Sequence, residues 1–312
     1  MSATDEVARW NIAVVILSWN GRDDTLACLR SLPRDSQPGL RRIVVDNGSS
    51  DGTVQALREQ HPDVMVIETG RNLGFAGGNN AGIERALADG ADAVLVLNND
   101  TEVETGAIER LTAALRADPA AGACSPVLPH FDDPARLWFA GASFDPRRAH
   151  AGRNSDYERG TATLPATPIA VDRLVGAALL ARAQALREIG GFADELFFLY
   201  EDIDWSLRAR AAGWRLLLVP GARVPHKVAA SQGGRPHTPT TAYYGTRNDL
   251  EVGRRHGGLA GWRAGLREAG CAGVHLAALR RAPRGTRLAC VRATLEGWRD
   301  YRRRSLGPRP AP

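Results

Sequence analysis

Lysine is almost missing from this 312-residue chain. Lys227 is the only one, and arginine supplies the other 39 of 40 basic side chains. With abundant alanine and glycine, that bias reflects genome composition rather than chemistry. Cysteine is scarce too. Cys28, Cys124, Cys271 and Cys290 lie far apart and no pair has zinc-ligand spacing. A disulfide scaffold and a structural zinc knuckle are therefore excluded, and a reducing cytosol fits. No apolar run reaches the roughly 18 residues that cross a bilayer. Residues 1–10 are polar and offer no apolar h-region, so no secretory signal is read there. Internal repeats are also lacking.

What is present is ordinary globular material, 44% hydrophobic and 24% charged. That is too apolar for a disordered chain and enough for a sizeable core. The formal net charge of +5 is unevenly placed. Residues 251–312 carry 14 arginines against four acidic side chains, a net +10, so the other 250 residues carry −5.

Apolar runs alternate with helix-like segments from residue 12 to about 100. Strands are expected at 12–17 (IAVVIL), 42–45, 64–68 and 93–97 (AVLVL), the first buried on both faces. Helices are expected at 25–32, 53–60 and 78–89, with Gly90 as a stop. This alternation predicts an open α/β sheet with ligands beyond the carboxyl ends of its strands. A further helix is expected at 104–118. Residues 130–170, rich in Pro, Gly and Arg, give only faint strand alternation. Residues 174–181 are apolar, 184–189 and 201–212 read as helices, and 214–219 as a strand. Beyond about 250 the pattern is helical and basic.

Polar clusters stand at the expected strand ends. Ser18-Trp19-Asn20 follows the first strand. Asp46-Asn47-Gly48-Ser49-Ser50-Asp51 follows the second, where Asp46 can accept hydrogen bonds from a nucleobase or ribose and Ser49 and Asp51 lie beside it. The same residues suit a turn and helix N-cap equally well. In residues 70–80 (GRNLGFAGGNN), Arg71, Asn72, Gly77 and Asn79 line a loop opening a helix. Backbone amides there favour a diphosphate, unless the loop is purely structural. Asn98-Asn99-Asp100 offers a carboxylate and neutral oxygens to a hard divalent cation, or an Asx turn.

Residues 197–208 (FFLYEDIDWSLR) set Glu201, Asp202 and Asp204 behind four bulky apolar side chains. Helix capping explains the acids; a desolvated carboxylate of tuned basicity explains them as well. Asp202 and Trp205 share a helix face. A helix over 201–212 runs about 18 Å, and a strand over 214–219 returns about 20 Å. His226 is thereby brought back toward the same ligand as Asp100, a mixed O/N site suiting Mn²⁺ or Mg²⁺.

Taken in order, these segments resemble the inverting glycosyltransferases of family 2, with the GT-A α/β fold, and among them the rhamnosyltransferase-like branch acting on bacterial cell-envelope glycans. The resemblance covers about residues 11–250. Residues 12–20 and 46–53 are similar to the nucleotide-binding half. Asn98-Asn99-Asp100 is similar to the DxD metal motif, with Asn in place of its first Asp. Glu201-Asp202 is similar to the acidic pair whose Asp is the catalytic base, and His226 to the histidine completing the metal site. Residues 243–248 (YYGTRN) are similar to an aromatic-Arg-Asn segment, from which Arg247 would reach the diphosphate. The resemblance implies a nucleotide-diphosphate sugar donor such as dTDP-rhamnose, bound by Ser18, Asn20, Asp46, Ser49, Asp51, Arg71, Asn72, Gly77, Asn79, Asn98, Asn99 and Arg247. It further implies a divalent cation on Asp100 and His226, and a glycan or lipid-linked acceptor, with Trp205 and Asp204 as acceptor-side candidates. A catalytic domain over 1–250, divided near residue 100, would precede a basic helical extension over 251–312.

Leu259, Trp262, Leu266, Leu276 and Leu279 punctuate the arginines of that extension. A basic amphipathic surface on the cytoplasmic face of an anionic membrane is one reading, and a helical cap with a solvated arginine face is the other. No nucleic-acid motif accompanies the charge. Two other functions use similar features. A sugar-1-phosphate nucleotidyltransferase would place a Gly-rich Arg/Lys loop after the first strand, where Ser18-Trp19-Asn20-Gly21-Arg22-Asp23 stands instead. A non-catalytic sugar-nucleotide-binding protein would have no need of Asp100, Asp202 and His226 together.

Overall fold

The computed structural model describes residues 10–32, 39–145, 150–151, 157, 160, 162–228, 237–257, 265, 268–271, 273, 277 and 284–310. The first half alternates as expected: β1 (Ile12–Ser18), α1 (Arg22–Ser31), β2 (Leu40–Asp46), α2 (Thr53–Gln60), β3 (Met65–Glu68), α3 (Gly74–Ala88), β4 (Ala93–Asn98) and α4 (Ala107–Ala117). Then come β5 (Ala121–Pro129), the short β6 (Leu137–Phe139), β7 (Phe144–Asp145), β8 (His150–Ala151) and β9 (Ile169–Val171), β10 (Ala178–Arg182) and α5 (Ala183–Ile189). The chain continues through α6 (Glu201–Ala211), β11 (Arg215–Arg223), α7 (Pro239–His256) and α8 (Arg287–Arg302).

The main sheet runs β3-β2-β1-β4-β10-β5-β11-β9, with β6 on β5. Strands β3, β2, β1 and β4 are mutually parallel. Antiparallel β10 sits between β4 and β5 in a central sheet that is otherwise mostly parallel. Alternate β1 residues serve two cores: Val14 and Ile16 pack with α1, α2 and α4 side chains, while Ala13 and Val15 pack with those of α3. Burial on both faces is why the strand is continuously apolar.

Other differences are local. Helix α3 starts at Gly74, four residues before the expected start, so Gly77 and Asn79 are helical residues. Strand β5 occupies a stretch where no strand was expected; its buried Ala, Gly, Cys and Ser carry little β signal. Helix α7 runs through position 250, where a domain boundary was expected, and α8 packs on it through Tyr243, Tyr244, Cys290 and Ala293. Leu259, Trp262, Leu266, Leu276 and Leu279 lie outside the described residues.

Candidate active site

Register brings the polar strand ends together. Ser18 pairs with Asp46 across β1 and β2, and Leu17 with Asn98 across β1 and β4. All three polar ends therefore open on one edge, beside the point where strand order reverses at β1. The loops there are stitched to each other. Asn20, at φ 50°, donates its N–H to Ser49 Oγ (2.9 Å) and accepts from Ser50 N–H (2.8 Å). Asn99 Nδ2 donates to Thr25 Oγ1 (3.1 Å), which is also 2.8 Å from buried Ser18 Oγ.

Asp46 is the exception in this web. One oxygen accepts from Ser49 N–H at 3.0 Å, while buried Oδ1 has no hydrogen-bond partner. A buried acceptor left over at a strand end is what a ligand N–H or O–H would satisfy. Asp51, by contrast, is committed to structure. It accepts from Arg22 N–H (3.0 Å) and from Thr53 N–H and Oγ1 at the start of α2 (3.1 and 2.5 Å). Burial raises its pKa, but these hydrogen bonds outweigh that and hold it below its ordinary value.

The expected diphosphate seat at the start of α3 is not free. Leu73 N–H donates to Asn47 Oδ1 (2.9 Å), Gly74 N–H to Asn72 Oδ1 (2.8 Å), and Phe75 and Ala76 N–H to Phe197 O (2.6 and 3.3 Å). With those amides satisfied internally, the helix start no longer offers open donors to an anion. Asn72 is thus spent in an Asx turn just ahead of the helix. Asn79 is fully buried inside α3, with Nδ2 on Phe75 O, and Gly77 faces Leu73 and Asp194. Arg71 and Asn72 are the exposed members of this group, and Asn72 is already engaged with Gly74 N–H. Asn47, which sequence reasoning passed over, joins the two loops: its Nδ2 also donates to Gly74 O at 3.0 Å.

Asp100 and His226 meet. Nε2 of His226 lies 3.1 Å from Asp100 Oδ1, both side chains buried. The histidine is fixed by its backbone, donating to Pro129 O and accepting from Phe131 N–H, and by Trp138, whose ring meets it edge-on at 4.4 Å. Its Nδ1 is buried without a partner. Trp138, in the irregular 130–170 stretch, gave no sequence signal.

Glu201 and Asp202 open α6. Asp202 accepts from Gly176 N–H (2.9 Å) and Ile203 N–H (2.7 Å). The adjacent Ala177 O accepts from Asn98 N–H at 2.9 Å, so one short segment joins Asp202 to the strand end that carries Asp100. Burial raises the pKa of Asp202 above its ordinary value, against the opposing charge of Arg173 and the two N–H donors. Arg173, buried and unremarked in the sequence, is the nearby cation. Glu201 is raised further, by burial first and the Asp202 charge second, and its Oε2 has no partner.

Three expected roles do not survive. Asp204 is buried, ion-paired with Arg208 (2.8 Å) and Arg255 (3.5 Å) and hydrogen-bonded with His256 (2.9 Å), and those partners hold its pKa low despite its burial. Trp205 is a core residue whose indole N–H donates to Gly190 O at 3.0 Å. Neither presents a surface to an acceptor. Arg247 is wholly buried, its guanidinium donating to Asn248 Oδ1 and to the carbonyls of Glu195, Leu196 and Gly307, and cannot reach a diphosphate.

A divalent cation fits what Asp100 and His226 present. Two ligand atoms 3.1 Å apart approximate one edge of an octahedron with metal–oxygen distances of about 2.0–2.1 Å, ideally ~2.9 Å. The donor set, one carboxylate oxygen and one imidazole nitrogen, suits Mn²⁺ or Mg²⁺. Among the described residues no third His, Cys, Asp or Glu joins them. Substrate phosphates and water would complete the shell.

Comparison with known proteins adds a family profile, Glycosyl transferase family 2, which matches residues 13–174. The N-acetylglucosaminyl-diphospho-decaprenol L-rhamnosyltransferase of Mycobacterium tuberculosis is 32% identical over 259 residues, 77% of this chain and 82% of that protein. A dTDP-rhamnosyl transferase of Shigella flexneri is 23% identical, covering 79% and 81%. Among solved structures, a mannosyltransferase of Pyrobaculum calidifontis in complex with GDP-Man and Mn²⁺ superposes with a TM-score of 0.55 at 20% identity, over 96% of this chain and 84% of that one. Residues 1–349 of S. aureus TarS give 0.56 at 13% identity, over 93% and 80%. At these identities the structural likeness speaks for the fold.

Proposed function

This chain belongs to glycosyltransferase family 2, with the GT-A architecture, and on that premise we propose that it moves rhamnose from dTDP-rhamnose to a hydroxyl of a lipid-linked cell-envelope acceptor with inversion at the anomeric carbon. The observation that carries the reading is the convergence of Asp46, Asp100, His226 and Asp202 on one edge of the sheet, from four separate parts of the chain. The rhamnosyltransferase relatives support the donor, and the decaprenol-linked substrate in the name of one of them supports the acceptor class.

In this reading Asp46 Oδ1 receives a hydrogen bond from the donor's nucleobase, with Asn20 and Ser49 shaping the wall beside it. Asp100 and His226 would hold the divalent cation, which when bound offsets charge on the departing diphosphate. Asp202 accepts the proton of the acceptor hydroxyl, whose oxygen forms the new bond to C1 as the bond from C1 to the diphosphate oxygen breaks. The electron pair leaves with the nucleoside diphosphate. One base and one displacement suffice, so no nucleophilic side chain is required. The raised pKa of Asp202 makes it a stronger base than an exposed aspartate.

A lipid-linked acceptor also accounts for α8. Leu288 is 83% exposed, Leu295 54% and Trp298 38%, and these recur along one stripe of the helix. Arg287, Arg292, Arg299 and Arg302 flank them. An apolar stripe bordered by arginine suits the boundary between anionic headgroups and acyl chains. Among the described residues no helix is long and apolar enough to cross a membrane.

The test is incubation with dTDP-rhamnose, Mn²⁺ and an N-acetylglucosaminyl-diphospho-polyprenol. The expected products are free dTDP and a rhamnosylated lipid of inverted anomeric configuration by NMR. In a parallel incubation with dTTP and a sugar 1-phosphate, release of inorganic diphosphate would instead identify a nucleotidyltransferase, and donor binding without turnover a non-catalytic binding protein.

A further inference from the structure

We infer that Asn248 and Arg247, tied to Gly307 near the end of the chain, are positioning residues for Asp202: they hold the strained turn from which the catalytic helix starts. The inference rests on reading Asp202 as the base. Phe197, Leu199 and Tyr200 have φ of 65°, 67° and 73°, and none is glycine. L side chains keep that conformation when surrounding structure over-determines it.

The carbonyls of residues 195–200 identify what does so. Asn248 Nδ2 lies 2.9, 2.9 and 2.8 Å from the oxygens of Leu196, Phe198 and Leu199. Arg247 Nη2 reaches Leu196 O and Glu195 O at 3.0 and 3.3 Å. Glu195 O also accepts from Gly307 N–H (2.7 Å), and Gly307 O accepts from Arg247 Nη1 (2.6 Å). Tyr244 stacks on Phe197 with centroids 5.5 Å apart, and its hydroxyl accepts from Arg309 N–H at 2.6 Å. The segment is thus gripped by α7 and by the tail beyond α8.

The two remaining carbonyls are taken by the helices that flank the turn. Phe197 O accepts the first amides of α3, an approach so close that Gly74 has no room for a side chain. Tyr200 O accepts from Asp204 N–H (2.9 Å) and begins α6. One turn therefore joins the donor-side helix to the helix of Glu201 and Asp202. If it relaxes, Asp202 shifts against Gly176 and the acceptor, while Asp46, Asp100 and His226 stay on the sheet. A purely structural clamp would alter stability and activity together; a positioning clamp alters turnover through Asp202.

The variant Asn248→Asp keeps the shape and replaces the donating NH₂ with oxygen. In the full chain its kcat should fall roughly 10–100-fold, with dTDP affinity in the presence of Mn²⁺ within about twofold of the parent by calorimetry. Combined with Asp202→Asn, it should cost less than about threefold further, because two residues acting through one group are not additive. Hydrogen exchange should quicken at amides 198–206 and not in β1 or β4. Truncation after Leu306 supplies the second variant, with a smaller loss of the same kind.

An equal fold-loss with and without Asp202, a fall in dTDP affinity that matches the fall in rate, or unchanged exchange at 198–206 would overturn the inference. If Asp202→Asn alone left turnover intact, the base assignment would fall, and the exchange measurement would still decide whether Asn248 holds the turn.

Discussion

Nε2 of His226 stands 3.1 Å from Oδ1 of Asp100 although 126 positions separate them in the chain. Strand β11 runs parallel to β5 and delivers the histidine to the end of β4, where the bridge between Thr101 and His226 locks the register. The pair has the chemistry of half a cation site. Asp100→Asn and His226→Ala should each weaken Mn²⁺-dependent dTDP binding by about tenfold or more, with the far-ultraviolet spectrum unchanged. Titration of Mn²⁺ by electron paramagnetic resonance, with and without dTDP, measures this. Unaltered Mn²⁺ binding in both variants would remove the pair from the metal site.

Glu201 is expected to reduce stability at neutral pH. Its pKa in the folded chain lies well above the ordinary 4.5, so between those values the folded state binds more protons than the unfolded. Stability then falls as pH rises through that window. Glu201→Gln removes the titration. Its melting temperature should equal the parent's near pH 4 and exceed it by roughly 2 °C or more at pH 8. A constant difference across this range would contradict the sign.

The α8 stripe predicts binding to acidic vesicles that weakens with salt, since arginine–headgroup attraction is screened. Flotation with phosphatidylglycerol-rich liposomes should recover the parent. The triple variant Leu288→Ser, Leu295→Ser, Trp298→Ser should remain in the dense fractions without loss of fold, because these side chains are exposed. If the stripe instead buries itself against a second copy, light scattering will find a dimer that the triple variant loses, and vesicle binding will not change.

The fold was readable because β1 and β4 are buried on both faces and therefore continuously apolar, which leaves their polar ends conspicuous. His226 does lie beside Asp100, but not by matched lengths, for β11 runs on to Arg223, well beyond the strand expected over 214–219. Three misreadings have one source, that a polar side chain in sequence does not declare which partner takes it. Arg247 looked free for a diphosphate and is enclosed by carbonyls. Asp204 looked like a neighbour of the acceptor and is instead buried against half-buried Arg208, Arg255 and His256. The glycines after Arg71 looked like an anion loop, but Phe197 O, some 120 positions away, takes the amides. No local pattern encodes a carbonyl from so distant a turn.

The central claim is that Asp202 is the base of an inverting transfer. Single-turnover transfer from dTDP-rhamnose, run beside dTDP calorimetry, tests it most directly. Asp202→Asn should bind dTDP with the parent's affinity and lose about 10²–10⁴-fold in rate. Full-rate transfer by that variant would contradict the account.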